Sequence, residues 1–294
     1  MNFLNYKNRI ALLSALFVIT VGWWLFLNSN GAPQATDGYA FNLFYAFIPL
    51  IGGVFALSTA QRWGLRGHIG KGFLFLGLGL LAWALGGFAW AYYNFTGAQE
   101  VPYPSLADVG FLGSTWLFMA GLIYLVRVGW SAFKTDPLGR KIVFAIIPLG
   151  AALFNFFFLF VKQVCENDVC ETTLLFFNTV EDPLERALNI IYPMNDLVLL
   201  SLAAFVLTYS YKLIGGKLTK AFVGMCVSMI VLYIADIIFT MGTSNETYYN
   251  GDVSDLMYAT SFFILSISIA LFHIKPSDLY ANEAATAKNH TPGR

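Results

Sequence analysis

Long apolar segments separated by gaps of alternating charge constrain this chain more than any other feature. Eight of them, at about residues 10–27, 39–60, 72–93, 109–126, 142–161, 187–211, 221–242 and 256–274, are long enough to cross a bilayer. A hydrocarbon core of about 30 Å takes about 20 helical residues at about 1.5 Å each, with a tolerated range of about 17–25. A transmembrane barrel would show segments of about 10 residues in strict alternation, and the sequence has none. The expected fold is all-α, a polytopic integral membrane bundle of eight helices over residues 1–274. A polar tail, 275–294, is expected to be disordered. Only 12% of the 294 residues are charged, too few to cover a soluble fold, so the lipid bilayer is the expected partner of most of the surface.

The charges orient the bundle. All but two of the 17 Lys and Arg residues fall at the two ends of the chain or in every second gap: Lys7 and Arg9; Arg62, Arg66 and Lys71; Arg127, Lys134, Arg140 and Lys141; Lys212, Lys217 and Lys220; Lys275, Lys288 and Arg294. The remaining gaps hold only Lys162 and Arg186. By the positive-inside rule the basic set is cytoplasmic, so both termini are expected inside and the chain is expected in the cell (inner) membrane. The first span has a signal-peptide alternative, with Lys7 and Arg9 as its basic region and Ala32-Pro33-Gln34-Ala35 following. Its apolar stretch exceeds the usual run of about 7–15 residues and no clean small-residue cleavage site follows, so it is expected to remain as a span. The formal net charge of zero excludes a strongly basic nucleic-acid binder.

Small residues recur every seven positions in the third span, at Gly72, Gly79 and Gly86. Such a stripe lets a neighbouring backbone approach closely, and ordinary packing within the bundle is the favoured reading over a dimer interface. Pro49 and Pro148 are expected to kink the second and fifth spans. Cys165 and Cys170 lie together in the fifth loop, on the outer face, where a disulfide can persist; they are expected to be bridged, although spacing alone also allows two free thiols. Cys226 reads as a small packing residue in the seventh span.

Four aspartates gather on the side opposite the basic residues. Asp108 follows Pro104-Ser105-Leu106-Ala107, Asp196 follows Tyr192-Pro193-Met194-Asn195, and Asp255 follows Gly251-Asp252-Val253-Ser254. Ser105-x-x-Asp108 and Asp252-x-x-Asp255 read as capping boxes, in which a side chain at each end satisfies a free backbone N–H. Depth separates the other pair. Asp108 and Asp255 stand about 27–28 Å of helix from the inner boundary, whereas Asp196 and Asp236 stand about 22 Å from Lys212 and Lys220. Asp196 and Asp236 are thus expected at similar depth, beneath the outer surface, where a carboxylate needs a partner or a watery cavity. Arg186 is the nearest candidate counter-charge. Outer-side tyrosines, among them Tyr92, Tyr93, Tyr103, Tyr192, Tyr248 and Tyr249, read first as an interfacial belt. Tyr103 and Tyr249 are also candidates to face a cationic ligand beside a carboxylate.

Other chemistry finds little footing. His68, His273 and His290 are scattered on the basic side, so no metal site, haem pair or other cofactor is expected. No Ser/His/Asp set lies on one side and no lysine sits mid-span, so no enzyme is expected.

The motifs Pro104-Ser105-Leu106-Ala107-Asp108-Val109-Gly110-Phe111-Leu112, Tyr192-Pro193-Met194-Asn195-Asp196-Leu197, Ala235-Asp236-Ile237-Ile238-Phe239 and Tyr249-Asn250-Gly251-Asp252 with Asp255-Leu256-Met257-Tyr258 occur in that order. The ordered set resembles the multi-pass N-terminal sensor regions of bacterial GGDEF/EAL proteins and some histidine kinases. That resemblance implies a sensory module facing the outside, with a small molecule or cation as ligand. Members of that group carry a cytoplasmic output domain, and none follows here, so signalling is expected to pass through a separate cytoplasmic or membrane partner. The alternative is a small-solute transporter or an accessory subunit of a membrane complex. The inner halves of the fourth, sixth, seventh and eighth spans lack acidic residues, which favours binding over transport.

Overall fold

The computed structural model describes residues 5–29, 31, 35–97, 101–135, 138–155, 161–166, 169–174, 182–210 and 219–272. In chain order these form α1 (Tyr6–Asn28), α2 (Ala35–Tyr45), α3 (Phe47–Trp63), α4 (His68–Phe95), α5 (Leu106–Thr135), α6 (Leu138–Asn155), β1 (Val161–Glu166), β2 (Val169–Leu174), α7 (Pro183–Ser210), α8 (Thr219–Ser244) and α9 (Val253–Ala270). Seven stretches of the described residues are long and apolar enough to cross a membrane, with α2 and α3 counting as one. The chain is a multi-pass helical membrane bundle. Apolar side chains such as Val18, Leu25 and Phe26 on α1 stay exposed, as a lipid-facing surface requires.

The second predicted span is broken at Ala46, between α2 and α3. Pro49 explains the position of the break. It has no N–H to offer the carbonyl of Tyr45, four residues back, and its ring crowds that carbonyl. Hydrogen bonding holds on either side, from Ala46 N to Asn42 O at 3.4 Å and from Leu50 N to Ala46 O at 3.3 Å. Gly64, at φ 84°, then ends α3, its N–H donating to Ala60 O at 3.0 Å.

The glycine stripe of α4 packs inside the chain, against α5. A Cβ on Gly72 would lie 2.7 Å from Leu125, one on Gly79 2.5 Å from Phe118, and one on Gly86 2.7 Å from Phe111. The three large side chains on α5 therefore share the seven-residue spacing of the three glycines, in reverse order. The opposite face of α4 meets α3 through Gly77 against Ala56 and Gly53 against Leu81. Phe73, Leu76, Leu80, Phe118 and Phe262 form a fully buried core where these helices meet α9. Between α8 and α9, Ser228 and Ser261 each donate a hydroxyl to the other's carbonyl, at 2.9 and 3.0 Å. The clasp leaves neither buried hydroxyl unsatisfied.

Basic and acidic helix ends lie at opposite ends of the bundle. Arg9, only 2% exposed, belongs to the basic end. Its guanidinium donates to Ser58 Oγ at 2.8 Å and lies 5.1 Å over the Phe55 ring, which joins α1 to α3. Helices α5 and α7 run side by side in one direction. Tyr192, early in α7, reaches Asp108, early in α5, while Phe205 stacks on Trp130 near their other ends.

The predicted fifth span, 142–161, meets three different outcomes. Its first part lies in α6, with Pro148 inside the helix, the next residues lie outside the described ones, and Val161 begins β1. The fifth loop contains the antiparallel pair β1–β2, with Cys165 directly opposite Cys170 in register. The predicted tail lies outside the described residues, as do the segments carrying Lys212 and Lys217.

Candidate functional site

The acidic end is built on helix starts. Ser105 begins α5 as its cap: Ala107 N donates to Ser105 Oγ at 3.2 Å, and Asp108 Oδ2 accepts from Ser105 N at 2.7 Å. That is a complete capping box. Its spare oxygen, Asp108 Oδ1, accepts from Tyr192 OH at 2.9 Å, so the cap also ties α5 to α7.

At α9 the box is stretched by one residue. Asp252 caps the helix, accepting from Ser254 N at 2.8 Å and Asp255 N at 3.3 Å. Asp255 does not return to Asp252 N, which is taken by Tyr249 O; it accepts instead from Gly251 N at 2.7 Å. Gly251 sits at φ 91°, a conformation that suits glycine and allows this reach. Asp255 is 2% exposed and also accepts from Tyr45 OH at 3.0 Å and Tyr248 OH at 3.4 Å. Burial first, then the nearby Asp255 charge, pushes the Tyr248 hydroxyl well above its usual range, so it stays a donor.

Next to Asp255, the loop between α8 and α9 is pinned by asparagine. Asn250 Oδ1 accepts from Asn42 Nδ2 at 2.7 Å, Trp90 Nε1 at 2.9 Å and Asn94 Nδ2 at 3.3 Å. Gly38 of α2 lies against the Asn250 carbonyl too closely for a Cβ to fit. On the α1 side, Trp24 Nε1 donates to Asp252 O at 3.0 Å and Asn28 Nδ2 to Gly251 O at 3.1 Å. The loop therefore closes this end of the bundle by bonds to α1, α2 and α4.

Asp196 of α7 and Asp236 of α8 meet differently. Their carboxyl groups interact with each other across the two helices. Asp236 Oδ1 also accepts from Tyr258 OH of α9 at 2.7 Å. Tyr258 is five residues into α9, about 7 Å below its start, so this pair lies deeper than the capping carboxylates. Both aspartates are half-buried, and beside them Asn195 Nδ2 is buried without a hydrogen-bond partner among the described residues. An aromatic partition separates the pair from the Asp255 cluster. Trp83 touches Tyr45 and Tyr258 at centroid distances of 5.7 and 5.8 Å, and Phe239 touches Tyr248 at 4.8 Å and Tyr258 at 6.4 Å.

The predicted site residues thus divide into three groups. Asp196 and Asp236 interact with each other, Asp108 belongs with Tyr192, and Asp255 belongs with Tyr45 and Tyr248. Tyr103 and Tyr249 donate to asparagines, Asn189 at 2.9 Å and Asn28 at 2.8 Å, rather than to aspartates. Burial, then the charges of Asp108 and Glu185, raises the Tyr103 hydroxyl and keeps it a donor. Arg186 lies near the start of α7, but the electrostatic partners of Asp196, Asp236 and Asp255 do not include it. The side chains that do meet the carboxylates include Tyr45 and Tyr258, which sequence reading did not single out. Tyr258 carried a usable signal, because it follows Asp255 by one helical turn within a quoted motif. Tyr45 carried none, since its partner is 210 positions away. Among the described residues, no three His, Cys, Asp or Glu side chains form a group able to hold a metal ion. No family model, curated protein or solved structure matches the chain.

Proposed function

We propose that this chain is a membrane sensory module that binds a cationic solute at the Asp196–Asp236 pair from the outer side, with eight spans and both termini cytoplasmic. One observation carries the reading: two carboxyl groups from neighbouring helices interact, with no cationic side chain among their electrostatic partners in the described residues. Two interacting carboxyls favour a proton between them, because two negative charges close together repel strongly. A cation that enters displaces this proton and meets both charges. Because Tyr258 hangs on Asp236, the exchange alters how α7 and α8 pack on α9, which is a two-state element that ligand binding can bias.

The ground beneath the pair favours binding over passage. The described residues of α7, α8 and α9 on the basic side of the pair carry no further Asp or Glu, and Ser228 and Ser261 are closed on each other. A transport path needs polar groups that continue inward. The ordered motifs that resemble bacterial sensor regions point the same way.

The test is thermal unfolding of the purified protein across sodium, magnesium, ammonium and alkylammonium ions. Wild type is expected to gain saturable stabilisation from at least one of them, about 2.7 kcal/mol at a hundredfold excess over Kd. Asp236→Asn and Asp196→Asn should lose it, while Asp108→Asn keeps it. Protons should be released on binding in weakly buffered solution. Identical shifts in wild type and both pair variants across the series would reject the site.

A further inference from the structure

At the basic end, two cations converge on one aromatic ring. Lys71 Nζ lies 5.6 Å from the centroid of Tyr124 and Arg127 Cζ lies 5.1 Å from it. The His68 ring stacks on the same tyrosine at 6.1 Å, and Phe75 lies parallel to it at 5.5 Å. His68, Lys71 and Phe75 share one face of α4 by their three- and four-residue spacing, and Tyr124 and Arg127 are one turn apart on α5. The helices cannot move apart to relieve the like charges. Gly72 beside Lys71 seats Leu125, and Gly121 seats Leu76, so α4 and α5 are held close together at this level too.

We infer that Lys71 and Arg127, gathered on Tyr124, form a binding site for the phosphate of an anionic phospholipid. Neither cation, nor His68, forms an ion pair with a carboxylate among the described residues. Lys71 lies in the first turn of α4 and Arg127 is the first cationic residue after the apolar run of α5, which puts the Tyr124 ring at the basic end of both helices. A tyrosine at that level has its ring in the apolar layer and its hydroxyl in the polar one. Arg127 is exposed and Lys71 half-buried, so a phosphate approaching along the membrane surface meets both. The ring face stabilises each cation and holds it in place, while the phosphate offsets their mutual repulsion. The site is independent of the carboxyl pair at the other end.

The experiment titrates the full-length protein, in nanodiscs of phosphatidylcholine, with labelled phosphatidylglycerol. Wild type should bind it saturably, with preference over labelled phosphatidylcholine. Lys71→Gln with Arg127→Gln should weaken binding about tenfold. Arg127→Gln alone should weaken it about threefold, which keeps the test open if the double variant fails to fold. Tyr124→Leu should also weaken it although no charge changes, and Lys71→Arg should retain it. Lys220→Gln removes a basic-end charge far from Tyr124 and should leave affinity unchanged. Equal binding of the two lipids, or an equal loss in Lys220→Gln, would overturn the site as nonspecific surface charge. Displacement of the lipid by millimolar inorganic phosphate would overturn the lipid as its occupant and indicate a free anion.

Discussion

Trp90 decides which way two asparagine side chains point. Its indole nitrogen only donates, so the Asn250 atom 2.9 Å away is the carbonyl oxygen. Asn42 stands 2.7 Å from that same oxygen and must present its amide nitrogen. Its own Oδ1 is then buried with no partner among the described residues. Reversing Asn42 alone would set two carbonyl oxygens together, and reversing both amides would face the indole with another donor. The orphaned oxygen, at about 1–3 kcal/mol, is the consequence of satisfying three donors at one acceptor. Asn250→Ala should therefore lower stability by about 2 kcal/mol, because it strands the indole N–H of Trp90 while Asn42 keeps Asp255 as a partner. Asn94→Ala removes one 3.3 Å bond at the edge of the cluster and should lose about 0.5 kcal/mol. Chemical unfolding in one detergent compares them, and equal losses would refute the shared-acceptor account. None of this cluster was legible in the sequence, since asparagines 208 positions apart announce nothing. The aspartates were more legible. Counting residues from the inner lysines uses only helical rise, so it ranked Asp196 and Asp236 below Asp108 and Asp255. It could not tell that Tyr192, Tyr45 and Tyr258 would donate to Asp108, Asp255 and Asp236.

Periodicity made α4 the most readable element, because seven-residue spacing survives in sequence whatever the partner. What periodicity omits is the identity of that partner, which three-dimensional packing supplied as Phe111, Phe118 and Leu125. Gly79→Ala puts a Cβ 2.5 Å from the Phe118 ring and should cost about 1–3 kcal/mol. Gly113→Ala, on α5 with nothing within 4 Å, should be neutral or stabilising by about 0.5 kcal/mol from helix propensity. Equal melting temperatures for the two variants would exclude close α4–α5 packing. The hairpin was the least readable element, because Val161-Lys162-Gln163-Val164-Cys165-Glu166 lacks clear alternation. Its register sets the backbone of Cys165 opposite that of Cys170, so the expected disulfide can be tested there. Directly opposed antiparallel residues have Cα atoms about 4.5–5.5 Å apart, within the span of about 4.4–6.8 Å that a disulfide tolerates. Intact-mass analysis after alkylation without reduction should find Cys165 and Cys170 unlabelled, and labelling of both would reject the bridge.

At the scale of the whole molecule, direction bears on the number of crossings. Helix α5 starts at the acidic end, where Asp108 caps it, and its far part reaches Lys71 through Tyr124. Helix α7 runs the same way, since Tyr192 meets Asp108 and Phe205 meets Trp130. Two neighbouring spans that run in parallel need a return crossing between them, just as parallel strands need a crossover. The intervening residues, 136–182, include α6, whose sequence is apolar after Lys141. The eight spans proposed above would supply that return, whereas seven would leave α5 and α7 antiparallel, and with eight the two chain ends would share a side. Single cysteines placed at Gly97, Asp182, Arg66 and Lys134, in a chain with its native cysteines changed to serine, test the course. A membrane-impermeant maleimide should label positions 97 and 182 in intact cells, and positions 66 and 134 only after permeabilisation. Labelling of 134 and 182 from the same side would mean that the segment between them does not cross. The basic end carrying Tyr124 and the acidic end carrying Asp196 and Asp236 would keep their places, because those rest on contacts within α4, α5, α7 and α8 alone.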